Sequence, residues 1–170
     1  RKALGIEKAV VPYLRARGLG LSSLKRKLRD WSDVHPHGVI LYDSISRTGM
    51  GSLVEDSTAN AIIDIANASS ETWVALAHSP RQDPSHQFGS VHFDAGADTV
   101  IRLTSQQKGD DLGCCLRVVK ANHLGLVPPL YYRIRFDQEG ITEVARARKE
   151  DWPELQGNPK DVPPADLARE

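Results

Sequence analysis

Two short, nearly unbroken apolar runs stand out from a chain that is otherwise amphipathic. Gly38-Val39-Ile40-Leu41-Tyr42 ends in Asp43-Ser44, and Trp73-Val74-Ala75-Leu76-Ala77 ends in His78. Runs of this kind are the strands of parallel sheets, buried on both faces. Between them Ala59, Ile62, Ile63 and Ala66 recur with helical spacing, after a Ser52-Leu53-Val54-Glu55 sequence with the form of a capping box. A strand, a helix-length crossover and a second strand predict one parallel βαβ unit.

Ahead of this unit, Ile6, Ala9, Val10, Tyr13 and Leu14 predict a helix within 6–17, kinked or started late by Pro12. Ser22 or Ser23 then caps a second helix, with Leu24, Leu28 and Trp31 on one face and Lys25, Arg26, Lys27 and Arg29 on the other. A basic run of this size is first of all a solvated helix face. His35-Pro36-His37-Gly38 is a turn, and two histidines without a third ligand at regular spacing do not define a metal site.

After the second strand, 79–92 is polar and aperiodic, which predicts a mobile surface loop. Thr99 to Leu103 is a short β-branched strand. Residues 106–113 form a turn, and the runs 114–119 and 130–136 flank a loop with Lys120, Asn122, His123 and Gly125. Together they predict a long antiparallel ribbon appended to the parallel sheet. From Arg148 onward, Pro153, Pro159, Pro163, Pro164 and scattered charges predict an extended tail. The expected fold is therefore α/β: a helical lead-in over 1–37, a core over 38–147 and a tail over 148–170.

A chain of 170 residues suits one core. Its 22 basic and 22 acidic residues cancel, so any contact with nucleic acid, membrane or polyanion must be local. The two cysteines, Cys114 and Cys115, are adjacent and cannot close an ordinary disulfide loop, which fits a reducing compartment. With no stretch near the ~20 apolar residues of a membrane span, the expectation is a soluble, cytoplasmic protein. The chain opens on Arg1 in what reads as the middle of a longer polypeptide.

An aspartate at the carboxyl end of a buried parallel strand stands where open α/β sheets bind ligands. Asp43 is such a residue, suited to Mg²⁺, which takes one or two carboxylates and keeps several waters. The order of features resembles the carboxyl-terminal half of a RecA-type ATPase core, closest to its RepA-like and replicative-helicase branch, from about Val39 to Val144. The strand ending in Asp43-Ser44 resembles the family's Walker B strand. His78, with Arg81 three positions on, resembles the family's histidine sensor of the terminal phosphate. Gly89-Ser90, followed by Ala97-Asp98 and an apolar strand, resembles the loop that lies near the nucleic-acid channel. Lys120 and Gly125 resemble part of the family's Lys-x-Arg-x-Gly ribbon.

The resemblance implies a P-loop NTPase sheet, ATP and Mg²⁺ as cofactors, and a role as a hydrolase or helicase in DNA replication or recombination. It implies a homo-oligomer, such as a hexameric ring, acting on single-stranded DNA. Asp43, Ser44 and Arg81 would bind metal-nucleotide, His78 and Lys120 would act in catalysis, and Gly89 and Ser90 would touch DNA. The chain departs from the pattern in three ways. Asn122 stands where the ribbon has arginine, leaving Arg117 and His123 as speculative substitutes, and asparagine cannot neutralise charge. No strand before Gly38 ends in a catalytic glutamate. No glycine is followed by lysine, so no phosphate-binding loop is present. Either that loop lies upstream, or the chain is a non-catalytic binding or regulatory module on the same scaffold. A hydrolase using Ser44 or Ser79 with a histidine is a third class, without the Gly-x-Ser-x-Gly elbow it would need.

Overall fold

The computed structural model describes residues 11–16, 18–78, 89–123, 125 and 127–156. The fold is α/β, with one small parallel sheet and one four-stranded antiparallel sheet. The two sheets fall in different compact units, one formed by Tyr13–Ala97 and the other taking in the chain from Asp98 onward. The division lies inside the segment 38–147 that the sequence pattern suggests as one core.

In the first unit, α1 (Leu21–Val34) is capped by Gly20 and not by Ser22 or Ser23. The Ser23 hydroxyl instead donates back to the Gly20 carbonyl at 2.7 Å. Leu21 and Leu24 are buried, Leu28 packs on the same core, and Trp31 stacks at 4.7 Å on His35. The chain then turns through Gly38, where a Cβ would lie 2.6 Å from the Trp31 ring.

Strand β1 (Ile40–Asp43) pairs in parallel with β2 (Trp73–Leu76), with Ile40 opposite Trp73 and Asp43 opposite Leu76. The crossover is α2 (Asp56–Ser69), which buries Thr58, Ala59, Ile62, Ile63, Ile65, Ala66 and Ser69. So wide a buried arc follows from its neighbours: α2 packs on α1 and on the short α3 (His92–Gly96), and its isoleucines share a core with Tyr42 and Ala75 of the sheet. The expected capping box does not form. Glu55 is the N-cap with no side-chain hydrogen bond, and its N–H donates to the Ser52 carbonyl. Between β1 and α2 the glycine-punctuated loop is docked, with Leu21 N–H donating to Thr48 O at 2.7 Å.

The described residues of this unit cover one face of the sheet. Side chains alternate across a strand, so Ile40, Tyr42 and Ala75 turn to α2 while Val39, Leu41, Val74 and Leu76 turn away. Those four keep 54%, 60%, 46% and 44% of their surface exposed. Parallel strands normally bury both faces, and covering such half-exposed side chains is worth about 1 kcal/mol each.

The second unit is an antiparallel meander in the order β3 (Thr99–Lys108), β4 (Asp111–Ala121), β5 (Leu130–Asp137), β6 (Gly140–Arg146). It matches the expected ribbon only loosely. The strand read as Thr99 to Leu103 runs on to Lys108, and the turn placed over 106–113 shrinks to Gly109-Asp110, with Gly109 at φ +58°. The ribbon also gains β6, and it forms a sheet of its own instead of extending the parallel one.

The expected extended tail folds in its first part. The 3-10 turns Lys149–Asp151 and Pro153–Gln156 lay Trp152 and Leu155, each 4% exposed, against Cys115 and Tyr131. Gly113 makes this possible, because a Cβ there would stand 2.2 Å from the Trp152 ring. Lys108 closes the packing, its Nζ 4.9 Å above the Trp152 ring and donating to Asp151 O. The helix expected over 6–17 is not present in its described part: residues 11–16 are not helical and Tyr13 is 88% exposed. Its start at Ile6 and prolines 159, 163 and 164 lie outside the described residues.

Candidate functional site

Asp43 ends β1 and His78 follows β2 by two residues, so both stand at the carboxyl ends of hydrogen-bonded parallel strands. Both are exposed. By alternation the Asp43 side chain belongs to the uncovered face, beside Leu76. The Asp43–Ser44 peptide bond is cis. Ser44 is half-buried, its hydroxyl 2.6 Å from that of Ser46. Beneath them, burial pushes the Tyr42 phenol up, partly offset by the Ser69 hydroxyl.

Among the described residues no three His, Cys, Asp or Glu side chains converge on a point. Mg²⁺ bound to a nucleotide needs only a carboxylate or two plus phosphates and water. Asp43 carries an exposed carboxylate at the strand end, with the Ser44 hydroxyl next to it in sequence.

Arg81 lies outside the described residues, as does Ser79. Gly89 and Ser90 are described, and Ser90 is buried. Its hydroxyl donates to Asp56 Oδ1 at 2.6 Å, and its N–H donates to Leu53 O at 2.8 Å. His92 completes the cluster, its N–H donating to Ser90 Oγ at 3.1 Å and its Nε2 standing 3.5 Å from Asp56 Oδ2. Sequence reasoning missed this cluster because Asp56 and Ser90 are 34 residues apart and no short motif links them. It holds serine, histidine and aspartate, but its connectivity is that of a latch. The hydroxyl donates its hydrogen bond to the carboxylate and not to the imidazole, so the serine–histidine pairing of a nucleophilic triad is not made.

In the second unit Lys120 lies near the end of β4, half-buried and opposite Val100 at a bulge in the β3–β4 ladder. Asn122 has a structural partner: its N–H donates to Asp98 O at 2.9 Å and its amide to Asp98 Oδ1 at 3.2 Å. His123 Nε2 stands 3.7 Å from the same carboxylate. Arg117 Nη2 donates to Gln156 O at 3.2 Å. The position where the ribbon motif has arginine is thus used to pin the end of β4 to the start of β3.

The second unit also has a depression of about 250 Å³ lined by Lys108, Asp111, Arg133, Arg146, Ala147, Asp151 and Trp152. Most of its charges are already matched. Arg133 Nη2 donates to both Glu143 oxygens at 2.9 and 2.8 Å, and Arg135 forks onto Asp111 at 2.8 and 3.2 Å. The Arg135 hydrogen bond holds the Asp111 carboxyl below the usual carboxylate range.

No protein-family model matches the chain. No curated protein matches it either. Among the described residues no helix is long and apolar enough to cross a membrane.

Proposed function

We propose that the chain is part of a RecA-type ATPase, a cytoplasmic motor of DNA replication or recombination akin to the RepA-like helicases. The phosphate-binding loop is supplied by polypeptide outside these 170 residues. The observation that carries the reading is the placement of Asp43 and His78 at the carboxyl ends of adjacent parallel strands, joined by the α2 crossover. The exposed face of Val39, Leu41, Val74 and Leu76 supports it, because parallel strands normally bury both faces.

In this reading Asp43, assisted by Ser44, holds Mg²⁺ through a carboxylate and a water shell. Magnesium-bound ATP supplies the transferable phosphoryl group. His78 donates a hydrogen bond toward the terminal phosphate, and Arg81 adds positive charge nearby. Lys120 reaches the nucleotide of a neighbouring subunit in a homo-oligomer, such as a hexameric ring, and offsets charge that develops in transfer. Gly89 and Ser90 are the residues that this reading assigns to single-stranded DNA.

A second reading has its own support. Asn122 engages Asp98 in place of the motif's arginine, which suits a non-catalytic RecA-scaffold module that assembles with an active partner. ATP hydrolysis by the protein together with its phosphate-loop segment separates the two. The motor reading expects turnover that falls about 100-fold or more on Asp43→Ala, and a loss of kcat with little change in KM on His78→Ala. Absence of turnover in the unaltered protein selects the scaffold reading. Unchanged turnover in Asp43→Ala removes Asp43 from the site.

A further inference from the structure

We infer that the exposed face of α1 is a binding surface for the phosphate backbone of a nucleic acid, formed by Lys25, Arg26, Lys27 and Arg29. All four are exposed on the helix, and none forms an ion pair among the described residues. Their spacing places Lys25 and Arg29 one turn apart on one side, with Arg26 beside them and Lys27 on the flank. Four cations thus stand within five residues of a chain with no net charge, which makes α1 a local positive feature and not a sample of a basic surface.

Helix stability does not explain the arrangement. A helix is favoured by acidic residues in its first turn and basic ones in its last. The first turn of α1 holds no acid and its last turn no base. Asp33 stands instead in the last turn, and the cations crowd the middle of the helix. Lys25 and Arg29 form a like-charge i,i+4 pair, which costs roughly 0.2–0.5 kcal/mol. Arg26–Asp30 and Arg29–Asp33 are ordered base before acid, the weaker orientation, and neither pair is closed. A charge pattern that works against its own helix while exposing four unpaired cations is suited to an external polyanion.

The choice of nucleic acid among polyanions rests on the DNA-acting reading above; the patch itself does not. Fluorescence anisotropy with a labelled oligo(dT) strand and a duplex of equal length, without nucleotide, tests the patch apart from any ATPase. Neutralising four phosphates on a single strand gives a log–log salt slope of about −2.8, or about 50-fold weaker binding at 200 mM than at 50 mM salt. Lys25→Gln/Arg29→Gln should cut that slope by about half, and the charge-matched control Arg148→Gln/Lys149→Gln should leave it unchanged. The quadruple glutamine variant should lose the salt-dependent binding while its melting temperature stays level or rises. Preference for strand or duplex names the form bound, and equal binding marks pure backbone contact. Equal losses in the control pair, a melting temperature that falls, no binding at 50 mM salt, or capture by anionic vesicles in place of oligonucleotides would each overturn the proposal. Salt-dependent binding by the protein together with its phosphate-loop segment, where that protein shows no ATP turnover, would sink the motor and leave the patch standing.

Discussion

Substituting Gly113→Ala should dislodge Trp152 and with it the two 3-10 turns that seal one face of the antiparallel sheet. The added Cβ would stand 2.2 Å from Cδ2 and Cε3 of the indole and 2.7 Å from Cε2. Carbon atoms in contact settle at about 3.5–4.0 Å, so the ring must move by more than about 1 Å. It cannot do so freely, because it is 4% exposed and packed with Cys115 and Leu155. Overpacking costs about 1–3 kcal/mol, and loss of a buried tryptophan side chain about 3–5. An intrinsic gain of roughly 0.5–1 kcal/mol for alanine over glycine in a strand offsets part of this. The net expectation is a loss of about 2–4 kcal/mol, measured by urea unfolding followed by circular dichroism. The same substitution in a Trp152→Ala background should be neutral or mildly stabilising, a coupling of about 2 kcal/mol or more. Equal costs in the two backgrounds would refute the close approach of Gly113 and Trp152.

Asp111 links the same sheet to pH. Its folded pKa is lowered, chiefly by the hydrogen bond from Arg135, so its contribution is fully present above the unfolded value of about 3.9 and lost as pH falls through the folded one. Asp111→Asn should therefore be less stable than the parent at pH 7, with the two melting temperatures converging below about pH 4; a constant difference across that range would contradict the assignment. Ser90→Ala removes the hydroxyl that ties the loop end to Asp56 and should cost about 1–3 kcal/mol in thermal unfolding, whereas the exposed Ser46→Ala should change stability by less than about 0.5.

The parallel unit was legible in the sequence because its signals are local: two apolar runs and a helical stripe of the right length between them. The lower half of the chain was harder to read for reasons visible in the structure. Gln106, Gln107 and Lys108 look like a turn, yet they extend β3, because the ladder to Gly113, Leu112 and Asp111 of β4 carries the strand on through the all-polar run from Thr104 to Lys108. Gly113 looks like a breaker but serves as the gap that admits Trp152. Trp152 and Leu155 sit in a proline-bearing stretch whose burial depends on a sheet formed 20 to 50 residues earlier. The Ser52–Glu55 box matched a local rule, but Leu53 is held from a distance by Ser90, and the helix starts later. At the candidate site, the strand ends carrying Asp43 and His78 follow from pattern, whereas the Asp56–Ser90–His92 latch and the Asn122–Asp98 tie are contacts between distant positions that periodicity does not encode.

The central claim is that the Asp43 carboxylate holds the metal of a metal-nucleotide. Manganese binding followed by electron paramagnetic resonance, on the protein with its phosphate-loop segment, addresses it directly. The account predicts that Mn²⁺ is bound tightly only when ATP is present, and that Asp43→Ala weakens it on the order of 10-fold or more while Leu41→Thr on the same face does not, in line with the cost of losing a group that supports a metal. ATP-dependent Mn²⁺ binding that is the same in Asp43→Ala as in the parent would contradict it.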